Sequence, residues 1–149
     1  MEAVILVGVQ ASGKTTFYRE RFHGTHVRIS LDLLKTRHRE LRLMQVCLET
    51  QQPFVIDNTN PTQEDRQRYI VAARQVGFRV VGYYFQSNVG ECKVRNESRC
   101  EREQVPLVGL LGTYKRLVLP RLGEGFDELH YVRIGEDGRF VIERWSDEI

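Results

Sequence analysis

The stretch Gly8-Val9-Gln10-Ala11-Ser12-Gly13-Lys14-Thr15 constrains this chain more than any other. It fits the phosphate-binding pattern G-x-x-x-x-G-K-[ST]. Ala3-Val4-Ile5-Leu6-Val7 before it reads as a short buried strand, and Thr16-Phe17-Tyr18-Arg19-Glu20-Arg21-Phe22 after it reads as a helix. Strand, glycine loop and helix is the order such a loop requires. Gly8 and Gly13 let the backbone turn and approach an anion closely. Successive N–H groups and the helix N-terminus then offer donors and positive potential. Gly8, Gln10, Ala11, Ser12, Gly13, Lys14, Thr15 and Thr16 are therefore the expected nucleotide-binding set. Lys14 would reach the β- and γ-phosphates of ATP, and Thr15 would hold Mg²⁺. The alternative, a glycine turn with a chance Lys-Thr pair, leaves the flanking strand and helix without a reason.

A chain of 149 residues with 41% apolar and 28% charged content suits one globular domain spanning 1–149. A net charge of +2 does not announce a nucleic-acid binder, so any basic surface must come from local clustering. No apolar run approaches the length of a membrane span, and the N-terminus lacks a signal-peptide layout. Cys47, Cys92 and Cys100 are odd in number and form no C-x-x-C pair. Reduced thiols in a cytoplasmic protein are the expectation. The four histidines are scattered and show no metal-ligand spacing.

Short β-type runs alternate with amphipathic stretches, which argues for an α/β fold with a mostly parallel sheet. His26–Ser30 reads as a second strand. Leu31 to about Gln51 reads as one long helix with an apolar stripe of Leu34, Leu41 and Leu48, flanked by Leu33 and Met44. Phe54–Asp57 is a third strand, ending in the turn Asn58-Thr59-Asn60-Pro61. Thr62 caps a helix running to about Val76, with Asp65 completing a capping box. Arg79–Phe85 is a fourth strand. A polar helix covers Val89–Glu103, and Val105-Pro106 restarts the chain as a helix to about Leu119. Leu129–Ile134 is a fifth strand, and Phe140–Ile142 a last edge strand after a turn.

In such a sheet the ligand binds beyond the carboxyl ends of the strands. Asp32, just after the second strand, is the candidate general base for a hydroxyl attacking the γ-phosphorus. It also suits the N-terminus of a helix dipole. Asp57 ends an apolar strand, as the acidic residue of a Walker B strand does, and is the second candidate for Mg²⁺, held through water; a turn-forming Asx residue is the alternative reading. Asn58 and Asn60 read as turn formers. Arg95 and Arg99, four apart on the expected helix and joined by Arg102, suit a lid that closes over the γ-phosphate; a solvated charged face is the alternative. Lys35, Arg39 and Arg42 would share one face of the long helix, opposite the leucines. They either meet an acceptor bearing phosphates or face solvent. Trp145 and Tyr83-Tyr84-Phe85 read as core.

These residues resemble the polynucleotide 5′-hydroxyl kinases. The likeness rests on the loop Gly8 to Thr15, on Asp32, on Ile56-Asp57-Asn58-Thr59-Asn60-Pro61, and on Arg95-Asn96-Glu97-Ser98-Arg99 followed by Val105-Pro106 and Tyr114-Lys115. It runs from residue 2 to about 134. It implies a kinase-type P-loop NTPase: a central sheet of about five strands flanked by helices, plus a helical lid. It also implies transfer of the γ-phosphate of ATP, with Mg²⁺, to the 5′-OH end of DNA or RNA in nucleic-acid repair. Asp32 matches the family's general base, Lys14 and Thr15 its phosphate and Mg²⁺ contacts, and Arg95 and Arg99 its lid arginines. Lys35 stands where phage-type members place an arginine, so the charge is kept and the bidentate fork is lost. The D-x-D-G-T signature of the phosphatase carried by relatives is absent, which predicts no 3′-phosphatase activity and leaves room for a separate phosphatase or ligase partner. Two other readings stay open: a P-loop kinase acting on a small hydroxylated molecule, and a nucleotide-dependent interaction module.

Overall fold

β1 (Glu2–Val7) is apolar on both faces, which places it in the middle of a sheet. In the computed structural model Ala3, Ile5 and Val7 enter one core and Val4 and Leu6 another. The structure describes residues 1–146; the last three residues of the expected domain lie outside the described residues. The other strands are β2 (Val27–Ile29), β3 (Phe54–Asp57), β4 (Arg79–Phe85), β5 (Glu128–Ile134) and β6 (Phe140–Arg144). They form one six-stranded sheet in the order β2-β3-β1-β4-β5-β6. β1 to β5 run parallel, and β6 closes the edge as an antiparallel partner of β5.

Helices cover both faces. α1 (Lys14–Arg21) packs Phe17 and Tyr18 against one side. α3 (Arg37–Thr50) and α4 (Gln63–Gln75) pack Met44, Cys47, Leu48, Tyr69, Ile70 and Ala73 against the other. Thr62 and Asp65 make the expected capping box of α4. Tyr84 and Phe85 are buried, and Trp145 packs edge-on against Tyr84, so these aromatics serve the core. Among the described residues no helix is long and apolar enough to cross a membrane.

The long helix expected from Leu31 to Gln51 is two helices. α2 (Leu31–Leu34) stops at Lys35, whose φ of 72° no helix accommodates, and Thr36 starts α3 by accepting a hydrogen bond from the Arg39 N–H. The leucine stripe shifts accordingly. Leu33 and Leu41 are exposed, while Met44, Cys47 and Leu48 share the buried face with Glu40. Lys35 therefore does not lie on a helical face with Arg39 and Arg42.

The helix expected over Val89–Glu103 is also shorter. α5 (Val89–Glu97) ends because the Asn96 side chain grips Val105, donating to its carbonyl at 2.6 Å and accepting from its N–H at 2.9 Å. Arg99 and Arg102 thus fall in the turn after the helix. α6 (Leu107–Arg116) ends before Leu119 because Val118 leaves it to donate to the Pro61 carbonyl.

That departing segment is held by Arg66, which is fully buried. Its guanidinium donates to both carboxylate oxygens of Glu124, at 2.8 and 3.1 Å, and to the carbonyls of Asn60 and Val118, both at 3.0 Å. Breaking such a pair leaves a buried charge uncompensated. Arg66→Ala should therefore cost about 3–5 kcal/mol in urea denaturation. Arg66→Met combined with Glu124→Leu should recover much of that loss.

Candidate functional site

β1 feeds its connection toward β2 on one side, while β4, its other neighbour, feeds toward β5. The crevice beyond β1 and β4 is thus the switch point where open α/β sheets bind ligands. The phosphate loop fills one lip of it and α5 rises from the other. Ser87, just past β4, ties the lips together by accepting a hydrogen bond from Val9 N–H at 3.1 Å.

Two backbone features shape the loop. Gly13 precedes α1 with φ 105°, and a Cβ there would meet the Phe140 ring at 3.0 Å. Ala11 takes φ 61°, a conformation uncommon for a residue with a side chain. Arg95 steadies it, donating to the Ala11 carbonyl at 2.8 Å while also reaching Glu91 at 3.3 Å. Val9 and Ala11 pack against Cys92 of α5 and Leu110 of α6, so an apolar cluster seats the lid on the loop. Within the loop, buried Ser12 Oγ and Gln10 Oε1 have no hydrogen-bond partner among the described residues, while the amide of Gln10 donates to Thr113 of α6 at 3.0 Å. Buried polar atoms left unpaired are costly, and a bound ligand is one way to satisfy them.

Lys14 is the electrostatic centre. Its Nζ donates to the carbonyls of Gly8 and Val9, each at 2.8 Å. Burial drives its pKa down to about 8; the charges of Asp57, Cys92 and Asp32 pull it upward, and that of Arg99 lowers it further. Asp57, Asp32 and Arg99 therefore all lie within electrostatic reach of one ammonium group. Thr16 sits exposed in the first turn of α1.

Thr15 donates its hydroxyl to Asp57 Oδ2 at 2.9 Å. A hydroxyl beside a carboxylate is a hard-oxygen pair that fits Mg²⁺, which is commonly completed by phosphate oxygens and water. Among the described residues no group of three or more His, Cys, Asp or Glu side chains could hold a metal unaided. The same Asp57 oxygen also accepts from Arg28 Nε at 2.8 Å. Sequence reasoning misses Arg28; the one signal it carries is its strand position, a single residue before the core-facing Ile29.

Asp32 is exposed in the first turn of α2, where Ser30 Oγ accepts from its N–H. Asn58 fixes that turn from across the sheet. It accepts from Leu31 N–H at 2.9 Å and donates to Glu40 at 2.8 Å. Glu40 is buried and also accepts from Tyr69 and Arg37, both at 3.0 Å. Desolvation, reinforced by Glu40, pushes the Tyr69 hydroxyl up to about 12, so it stays a donor. Asn60 is buried and donates to the Leu6 carbonyl at 2.7 Å. Asn58 and Asn60 are thus cross-links as well as turn residues. Lys35, Arg39 and Arg42 are all exposed, and Arg39 bends back to the Leu34 carbonyl at 3.3 Å.

Comparisons with known proteins agree with this architecture. A curated relative, the bifunctional polynucleotide phosphatase/kinase of Schizosaccharomyces pombe, is 29% identical over 135 residues, or 88% of this chain, and the chain spans 33% of that protein's length. Two solved structures share the fold at 16% identity. Kti12 of Chaetomium thermophilum in complex with ADP-AlF3 has a TM-score of 0.63, covering 91% of this chain and 92% of its own. A gluconokinase from Sinorhizobium meliloti 1021 has a TM-score of 0.62, covering 91% of this chain and 83% of its own. The family model for the AAA domain AAA_33 matches residues 34–117, a span holding the β3 turn and the lid but not the phosphate loop. The chain belongs to this AAA-domain family, and its fold is that of the kinase-type P-loop proteins.

Proposed function

We propose that this protein is a polynucleotide 5′-hydroxyl kinase that transfers the γ-phosphate of ATP to a 5′-OH end of DNA or RNA in nucleic-acid repair, with residues 1–149 as one kinase domain. One observation carries the reading: an exposed carboxylate, Asp32, stands in the first turn of α2, which Asn58 holds directly beside Asp57, the partner of Thr15. The relative from Schizosaccharomyces pombe, named for a polynucleotide kinase, supports the choice of acceptor. So does the exposure of Asp32, Lys35, Arg39 and Arg42, which suits a strand end better than an enclosed small molecule.

In this reading the amides of Gly8 to Thr15 and the N-terminus of α1 cradle the triphosphate. Lys14 exchanges its two carbonyl partners for phosphate oxygens. Asp32 accepts the proton of the 5′-hydroxyl as its oxygen bonds to the γ-phosphorus, and the bond from that phosphorus to the β–γ bridging oxygen breaks, releasing ADP. Arg95 and Arg99 offset charge on the transferring group. Thr15 and Asp57 would hold Mg²⁺, which neutralises phosphate charge when bound.

Two outcomes test this. With γ-labelled ATP, Mg²⁺ and 5′-OH oligonucleotides, the protein should label DNA or RNA, and Asp32→Ala should slow transfer by about 10²- to 10⁴-fold with ATP affinity nearly unchanged. Label on neither oligonucleotide would redirect the search to small hydroxylated acceptors, and full activity in Asp32→Ala would remove the general base.

Lys14 gives a pH signature. Free, with a pKa of about 8, it is mostly charged at neutral pH and mostly neutral one unit above that value. Triphosphate beside it favours the charged form and raises the pKa again. ATP binding should thus take up a proton between about pH 8 and 9, and affinity should fall as pH rises through that window. Calorimetry in buffers of different ionisation enthalpy reads the uptake, which Lys14→Ala should abolish.

A further inference from the structure

Arg28 stands where Thr15 and Asp57 meet. β2 buries Ile29 in the core beneath α3, so Arg28 faces the opposite side of the sheet, toward α1. Its Nε donates to Asp57 Oδ2 at 2.8 Å, and its Nη2 lies 3.4 Å from both Thr15 Oγ1 and Ser30 Oγ. Asp57 Oδ2 therefore accepts from Arg28 and, at 2.9 Å, from Thr15. The Asp57 side chain is 2% exposed and that of Arg28 24%.

A carboxylate this dry needs a cation, and Arg28 supplies one from within the chain. A divalent cation bound directly to Thr15 Oγ1 and Asp57 Oδ2 would meet the two oxygens that Arg28 contacts. The guanidinium and the metal are alternative partners for one oxygen pair, and two cations on one carboxylate oxygen would repel at close range.

We infer that Arg28 is an internal counter-ion of Asp57 that competes with a divalent cation for its Oδ2. The inference rests on the assignment of Thr15 and Asp57 as the metal pair under the proposed function. Metal affinity is then reduced by the strength of the Arg28–Asp57 contact. The same contact protects the nucleotide-free fold from an unpaired buried carboxylate.

Mn²⁺ titrated into the full chain in the presence of ADP, with free Mn²⁺ followed by electron paramagnetic resonance, tests this directly. Arg28→Gln should bind Mn²⁺ roughly tenfold more tightly than wild type, the size of one charge-assisted hydrogen bond lost from the competing state. Arg28→Lys, a point charge without the fork, should fall between. Thermal melts give an independent readout: Arg28→Gln should lower Tm without metal or nucleotide, and Mn²⁺ with ADP should narrow the gap to wild type. Mn²⁺ affinity in Arg28→Gln equal to or below wild type, or a Tm gap that metal leaves unchanged, overturns the inference. Asp57→Asn separates the two levels. If it binds Mn²⁺ as tightly as wild type, the metal-pair assignment itself fails; if it binds weakly while Arg28→Gln gains nothing, only the counter-ion role falls.

Discussion

The turn that ends β3 holds the whole site in register. Each of its four residues grips a different element. Asp57 meets Thr15 of α1 and Arg28 of β2. Asn58 holds the first turn of α2. The Thr59 carbonyl accepts from Gly8 N–H at 3.0 Å, at the root of the phosphate loop. Asn60 binds the end of β1, and its carbonyl accepts from buried Arg66, which carries the constraint to the segment beyond α6. Under the proposed function a proton acceptor and a phosphate cradle must agree closely in position, because reacting atoms have to approach to about 3–3.5 Å. One short turn contacts both the helix start that carries Asp32 and the root of the phosphate loop.

Much of the fold is legible in the sequence because its signals are local. A five-residue apolar run with no polar member demands burial on both faces, and that marks β1 as a central strand. Thr62 and Asp65, three apart, announce the start of α4 and make the capping box expected of them. Local patterns fail where a distant partner overrides them. Leucines at seven-residue spacing suggest one helix from Leu31 to Gln51. The short α2 is instead anchored by Asn58, 27 residues from Leu31, and the chain breaks at Lys35 to let α3 bury Glu40. α5 ends early because Asn96 prefers the backbone of Val105 to a continued helix.

The site follows the same rule. Residues defined by a motif, Gly8 to Thr15, are legible as a unit. Asp57 can be read only as one of two alternatives, because a strand-end aspartate looks the same whether it faces a hydroxyl or a turn. Arg28 leaves no trace in spacing, and the Arg37–Glu40 pair, three apart on α3, gives no sign that Tyr69 and Asn58 join it. Their roles depend on which strands become neighbours, and the order β2-β3-β1 follows no local signal.

Three basic groups of the candidate site share one property: each donates to an internal acceptor. Lys14 takes the carbonyls of Gly8 and Val9, Arg95 takes that of Ala11, and Arg28 takes Asp57. Charges withdrawn from water need partners, and the chain supplies them itself. Under the proposed function, binding would exchange these partners for ligand atoms. Every bond formed with a ligand is offset by the internal bond it replaces, which moderates affinity. The carbonyls released by Lys14 and Arg95 belong to the phosphate loop itself, and Asp57 belongs to the turn that anchors it. Under the proposed function, ligand entry would act on the backbone from β1 to α6 through atoms already in contact.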